Sequence, residues 1–200
     1  MNNLSSPLRG HLLGFCAPGE ADMLRLLQDG STRTNPLPDF GAMSVAASAA
    51  PPVIFLDVDG VLNRTDDAGE ERIDGAMLDR VRRLAESCAA VVVISSDWRT
   101  QPDAKACLEQ RLARVAVTVI GATPLARTRA FARPAEIFQW LATHPDEHNG
   151  RYVVLDDRDL TRETLGAELA TARRFVRTDP HVGFTDENLA EAVGILRRVG

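Results

Sequence analysis

The chain has 200 residues, 44% of them hydrophobic and 26% charged, with a formal net charge of −5. That size and balance suit one globular domain with an appendage, and the charge argues against a nonspecific nucleic-acid coat while leaving room for a local basic face. No apolar run approaches the ~20 residues of a membrane span, no secretory leader is expected from the first residues, and Cys16, Cys88 and Cys107 lack any C-x-x-C spacing, so free thiols in a reducing cytoplasm are expected.

Residues 1–52 differ in composition from the rest of the chain. Pro, Gly, Ser, Thr and Asn recur, and Ser44 to Pro52 is a small-residue tract ending in two prolines, like a linker. Glu20 to Leu27 fits a short helix stopped by Gly30. The segment is read as an arm, partly disordered, packed on the domain or offering residues 1–50 to a protein partner, with the domain proper at 53–200. His11 and Cys16 have no second ligand pair nearby and are not read as metal ligands.

Val53-Ile54-Phe55-Leu56 is a short apolar run bounded by Pro51-Pro52 and Gly60, which predicts a fully buried strand. Asp57 and Asp59 end it. Residues i and i+2 of a strand face the same way, so two carboxylates would meet at a buried strand end. That costs free energy unless they share a proton or hold a cation. Mg²⁺ suits them, because it takes hard oxygen ligands and leaves room for phosphate and water. Gly60 lets the backbone turn and a ligand come close. A calcium loop fits poorly, since its glycine belongs at position 6 and here stands at 4.

After a polar stretch, Leu78, Val81, Leu84 and Ala85 fall at helical spacing, and Val91–Ile94 reads as a second strand, giving a βαβ unit and a parallel sheet. Ser95 and Ser96 follow that strand directly. Either caps the next turn or bonds a phosphoryl oxygen at the same sheet edge as Asp57. Arg99 suits a substrate phosphate, a backbone contact or a surface ion pair, and Trp98 reads as packing. A helix is expected over Ala104–Arg114, a third strand over Val115–Ile120 ended by Gly121, then a basic stretch with Arg127, Arg129 and Arg133, and a helix opening at Pro134. His144 and His148 stand four apart, but Pro145 and Asn149-Gly150 make that segment a loop, which argues against a zinc pair. Tyr152–Leu155 followed by Asp156 and Asp157 repeats the opening design, and aspartates ending two parallel strands converge on one cation. Asp159 reads as a cap. A fifth strand is expected over Arg174–Asp179, then a loop in which His181 either lines an entrance or sits idle, then a helix over Glu187–Arg198.

Four motifs in this order resemble those of the haloacid dehalogenase-like (HAD) phosphohydrolases. They are Asp57-Val58-Asp59-Gly60-Val61-Leu62; Ser95, with Ser96 as alternative; Arg133, with Arg127 and Arg129 as competitors and Arg where Lys is commoner; and Asp156-Asp157. They cover about residues 53–185. The wording Ser95-Ser96-Asp97-Trp98-Arg99 and Thr178-Asp179-Pro180 before Gly183-Phe184-Thr185 is similar to HAD domains of multi-domain RNA repair proteins, and the layout to the phosphatase half of polynucleotide kinase-phosphatase. No G-x-x-x-x-G-K-[ST] kinase motif is present.

The resemblance implies an α/β, Rossmann-like core: a five-stranded, mainly parallel sheet of order 3-2-1-4-5 flanked by helices, with a minimal cap. It implies Asp57 as nucleophile, Asp59 as acid and base, and Ser95 and Arg133 offsetting phosphoryl charge. Ser96, Arg99 and Gly60 would contact substrate, and Asp57, Asp59, Asp156 and Asp157 would hold Mg²⁺. Insertions of only about a dozen residues after the first and third strands are too short for a folded lid. An open site suits a phosphate on a large substrate, with RNA or DNA ends as the expected partners. A small-metabolite phosphatase, covered by the arm or a second subunit, and a non-catalytic HAD-fold binding module are the alternatives.

Overall fold

The computed structural model describes residues 50–66, 73–126, 132–148, 150–162 and 173–198. Most of the expected arm, with His11, Cys16 and the short helix read there, lies outside the described residues, as do Arg127 and Arg129.

Strand β1 (Val53–Leu56) is wholly buried and central. It pairs in parallel with β2 (Val91–Ile94) and β4 (Tyr152–Asp156); β3 (Val119–Ala122) and β5 (Phe175–Arg177) complete a parallel sheet of order β3-β2-β1-β4-β5. This is the order the resemblance implied. Helices α1 (Gly75–Cys88), α2 (Pro102–Arg114), α3 (Ala132–Thr143) and α4 (Asp186–Arg197) flank it, with single 3₁₀ turns at Asp97–Thr100 and Leu160–Arg162.

Strand alternation sorts the core into two layers. Val53, Phe55, Val93 and Val154 pack against Ile137 and Trp140 of α3. Ile54, Leu56, Ile94 and Leu155 pack with α1, α2 and α4 through residues such as Val81, Leu108 and Leu196. Phe55 meets Trp140 edge-on, with ring centroids 5.5 Å apart.

Register fixes what arrives together at the carboxyl edge. Leu56 pairs with both Ile94 and Leu155, so the next residues, Asp57, Ser95 and Asp156, come level with one another. The ladder carries on past the strands: Asp57 N–H donates to Leu155 O at 3.0 Å and Ser95 N–H to Leu56 O at 2.8 Å. By parity all three belong to the α3 side of the sheet. Neither connection at this edge builds a lid among the described residues, since 57–66, 73–74 and 123–126 contain no helix or strand.

Three departures from expectation change how β3 and α3 are placed. Strand β3 begins at Val119, not Val115, because α2 runs to Arg114 and unwinds through Ala116, whose φ is 58°, with Val117 N–H closing on Leu112 O at 3.0 Å. Gly121 lies inside β3 opposite Val93, beside a register slip, and does not end the strand. Helix α3 begins before Pro134, so Arg133 stands in its first turn and not ahead of it.

Candidate active site

Asp57 is 4% exposed at the end of β1, and Val58 N–H donates to its Oδ1 at 2.8 Å. Arg133, its side chain 3% exposed, places Nη1 3.1 Å from Asp57 Oδ2 and 3.1 Å from Asp156 Oδ2. Asp157 completes a cluster in which three carboxylates offer ligand oxygens within 4.8 Å of one another. Three acids thus gather around the buried Arg133, with Arg158 also drawing on Asp156 and Asp157. Burial pushes the Asp57 carboxyl up, against Arg133, the Val58 N–H and the Ser96 hydroxyl. Burial and then the Asp57 charge push Asp156 up to about 7, with Arg133 opposing. Asp157 is raised too, chiefly by burial. The donor set is all carboxylate oxygen and short of positive charge, which fits Mg²⁺ and not a softer metal.

The two serines differ in their partners. Ser96 caps the 3₁₀ turn, its Oγ accepting from Trp98 N–H at 3.3 Å, and its hydroxyl also favours the ionised Asp57 carboxyl. Ser95 is 1% exposed and its Oγ has no hydrogen-bond partner. A buried hydroxyl without a partner costs about 1–3 kcal/mol. Ser95 stands on the sheet face that carries Asp57 and Asp156.

Asp59 stands apart from the cluster. The strand ends at Leu56 and the chain turns at once, with Leu62 N–H bonded to Val58 O at 2.7 Å, so the alternation expected of Asp57 and Asp59 stops. The exposed Asp59 carboxylate instead accepts from Asn63 Nδ2 at 2.9 Å and from Trp98 Nε1, 3.2 Å from each oxygen. The Asp59 side chain therefore lies outside the carboxylate cluster, which is formed by Asp57, Asp156 and Asp157. Trp98, read as packing, is indeed 4% exposed, yet its indole also reaches the site.

Gly60 has φ +71°, and a Cβ there would lie 2.7 Å from Asp157 Cβ and Cγ. The close approach it allows is therefore that of Asp157. Thr178 Oγ1 donates to Gly60 O at 2.8 Å and ties the β5 edge to this turn.

Arg99, expected near the substrate, has its guanidinium turned into the protein. Its side chain is 4% exposed and donates to Thr123 O at 3.0 Å, to Ser96 O at 2.6 Å and to Glu136 Oε2 at 2.6 Å. It is a strut behind the site, bonded to two backbone carbonyls and ion-paired with Glu136. Glu136 also accepts from Ala126 N–H at 3.0 Å and lies 4.0 Å from Arg133 Nε. Glu136 was not singled out from sequence, and Asn63 and Thr178 were given no role of their own. Only Asn63, four residues past Asp59 in a turn, offered a local signal.

The remaining expectations fall outside the centre. His144 stacks on Trp140 at 4.5 Å and 7°, and His148 Nε2 lies 3.1 Å from Leu141 O, so both finish α3. Asp159 accepts from Thr161 in the 3₁₀ turn it precedes. His181, 63% exposed, pairs with Asp66 at 2.7 Å across two loops that are also joined by Thr65 N–H to Pro180 O at 3.0 Å.

A parallel sheet of this order, with acidic pairs at the ends of its two central strands, a buried guanidinium between them and an unpartnered hydroxyl beside them, defines a HAD-type phosphohydrolase core. Residues 53–189 match the family described as the HAD domain in Swiss Army Knife RNA repair proteins. The chain belongs to that family. A search of curated proteins finds no match, and a search of solved structures finds none. No helix among the described residues is long and apolar enough to cross a membrane.

Proposed function

We propose that the chain is a Mg²⁺-dependent phosphomonoesterase that works through an aspartyl-phosphate on Asp57 and acts on a phosphorylated nucleic-acid end. The observation that carries this reading is the cluster of Asp57, Asp156 and Asp157 with Arg133 driven into it. Structural acids are rarely gathered this tightly in a buried place without a counter-ion. Asp57, Asp156 and Asp157 are the residues to hold Mg²⁺, which when bound offsets the repulsion between a carboxylate nucleophile and a phosphate dianion.

The chain's own groups divide the remaining work. Asp57, steadied by Arg133 and Val58 N–H, presents one oxygen to phosphorus. Arg133 and the Ser95 hydroxyl take up charge on the phosphoryl oxygens. Asp59 protonates the departing ester oxygen, then takes a proton from the water that releases phosphate. The site lies at a sheet edge that no described element covers, and the matching family is one of RNA repair proteins; both favour a phosphate at the end of a polymer.

The test is phosphate release from 3′- and 5′-phosphorylated oligonucleotides, phosphopeptides and small phosphate esters, with and without Mg²⁺, beside Asp57→Asn. Release that needs both Mg²⁺ and Asp57 and prefers an oligonucleotide end is expected. Preference for a small ester would replace the substrate, and no release from any ester by the folded protein would remove the activity.

A further inference from the structure

Asp59 is the exposed member of the acidic set, and its orientation needs a cause. A solvated carboxylate rotates freely, whereas proton transfer in a phosphoryl shift needs one oxygen on line with the ester. Three features fix it. Trp98 is 4% exposed within the core layer beneath α1 and α2, and its backbone N–H is capped by Ser96, so the indole has one place to stand. Indole has a single N–H and accepts nothing, and that N–H lies 3.2 Å from both oxygens of Asp59. Asn63, 8% exposed, accepts from Gly60 N–H through Oδ1 at 3.0 Å, which assigns its amide and turns Nδ2 to Asp59 Oδ1 at 2.9 Å.

The two donors are unequal across the carboxylate. Oδ1 takes the Asn63 amide and a share of the indole; Oδ2 takes only a share of the indole. Oδ2 is therefore the oxygen with capacity left.

We propose that Trp98 and Asn63 are positioning residues that hold Asp59 with Oδ2 as its working oxygen, so that the pair supports leaving-group protonation and not the fold alone. This rests on the phosphomonoesterase reading. As the bond from Asp57 to phosphorus forms and the bond from phosphorus to the ester oxygen breaks, that oxygen keeps the electron pair and takes the proton from Asp59 Oδ2. When water attacks the phosphoryl-Asp57, the water proton returns to Oδ2 and the Asp57 carboxylate is released. Protons and electrons balance over the two steps.

The test is the dependence on leaving group. Wild type, Trp98→Phe, Asn63→Ala and Asp59→Asn are assayed with Mg²⁺ on p-nitrophenyl phosphate, whose leaving group departs without a proton, and on an alkyl phosphate, whose leaving group needs one. General acid catalysis contributes about 10²–10⁴-fold. Trp98→Phe and Asn63→Ala should each lose about tenfold or more in kcat on the alkyl ester beyond any loss on the aryl ester. Combining Trp98→Phe with Asp59→Asn should cost little beyond Asp59→Asn alone. A second readout needs neither metal nor turnover: of the two indole N–H resonances in the chain, that of Trp98 should move on Asp59→Asn while that of Trp140 stays. Equal losses on both esters, or an unmoved Trp98 resonance, would overturn the proposal. Should Trp98→Phe fail to fold, Asn63→Ala decides the kinetic arm from the other side of the carboxylate. Failure of the phosphatase reading looks different, since wild type would then release phosphate from neither ester whatever the resonance does.

Discussion

Ser95 and Ser96 are identical in chemistry and adjacent in sequence, yet only Ser96 has a local partner. Ser95→Ala removes a buried hydroxyl that bonds nothing, so the thermal midpoint should hold or rise slightly. The same change takes one donor from the phosphoryl oxygens and should lower kcat by about ten- to a hundredfold. Ser96→Ala should do the reverse in part, costing about 1 kcal/mol of stability through the lost cap. Melting curves beside phosphate release for both variants check this, and a Ser95→Ala protein with full turnover would contradict the role given to Ser95. The meeting of Asp57 and Asp156 was legible because parallel-sheet register acts over a few residues. Which serine caps was not, because either could do so, and the 3₁₀ turn takes Ser96.

Helix α3 is the element that delivers the fixed cation. Arg133, Glu136, Ile137 and Trp140 lie at helical spacing, so the apolar half seals the sheet face while the N-terminal part of the helix brings Arg133 and Glu136 to the site. The helix was readable from Pro134 and its periodicity. Glu136 as a buried anion was not, because its partners Arg99 and Ala126 come from two other segments. The start of β3 was misread for a related reason: Val115 to Ile120 is one apolar run, and sequence does not say that its first residues unwind α2. Glu136→Ala strips the counter-charge from Arg99, whose side chain is 4% exposed, and should cost about 3–5 kcal/mol in urea denaturation. Glu136→Gln keeps acceptors for the Arg99 and Ala126 N–H groups and should recover part of that loss. Equal stability of Glu136→Ala and wild type would mean that the strut does not bear on the fold.

At the scale of the whole molecule, the parallel order that joins β1 to β2 and β4 also concentrates its like charges at one edge, so fold stability and metal binding share a set of protons. Asp57 and Asp156 have carboxyl groups raised above their ordinary 3.8 by burial, Asp156 to about 7. A carboxyl raised in the native state binds more protons there than in the unfolded chain. For Asp156, raising pH through the window from 3.8 to about 7 therefore withdraws stability from the metal-free protein, and above that window its contribution is fully lost. Mg²⁺ binds the native cluster only once its carboxylates are ionised, so its stabilisation grows over the same window. The metal-free protein should melt about 5–10 °C lower at pH 8 than at pH 5. Saturating Mg²⁺ should raise the midpoint more at pH 8 than at pH 5, and Asp156→Asn should flatten the metal-free difference. Thermal melts at the two pH values, with and without Mg²⁺, measure all three effects. A Mg²⁺ shift of equal size at both pH values would mean that the cation binds elsewhere than among Asp57, Asp156 and Asp157.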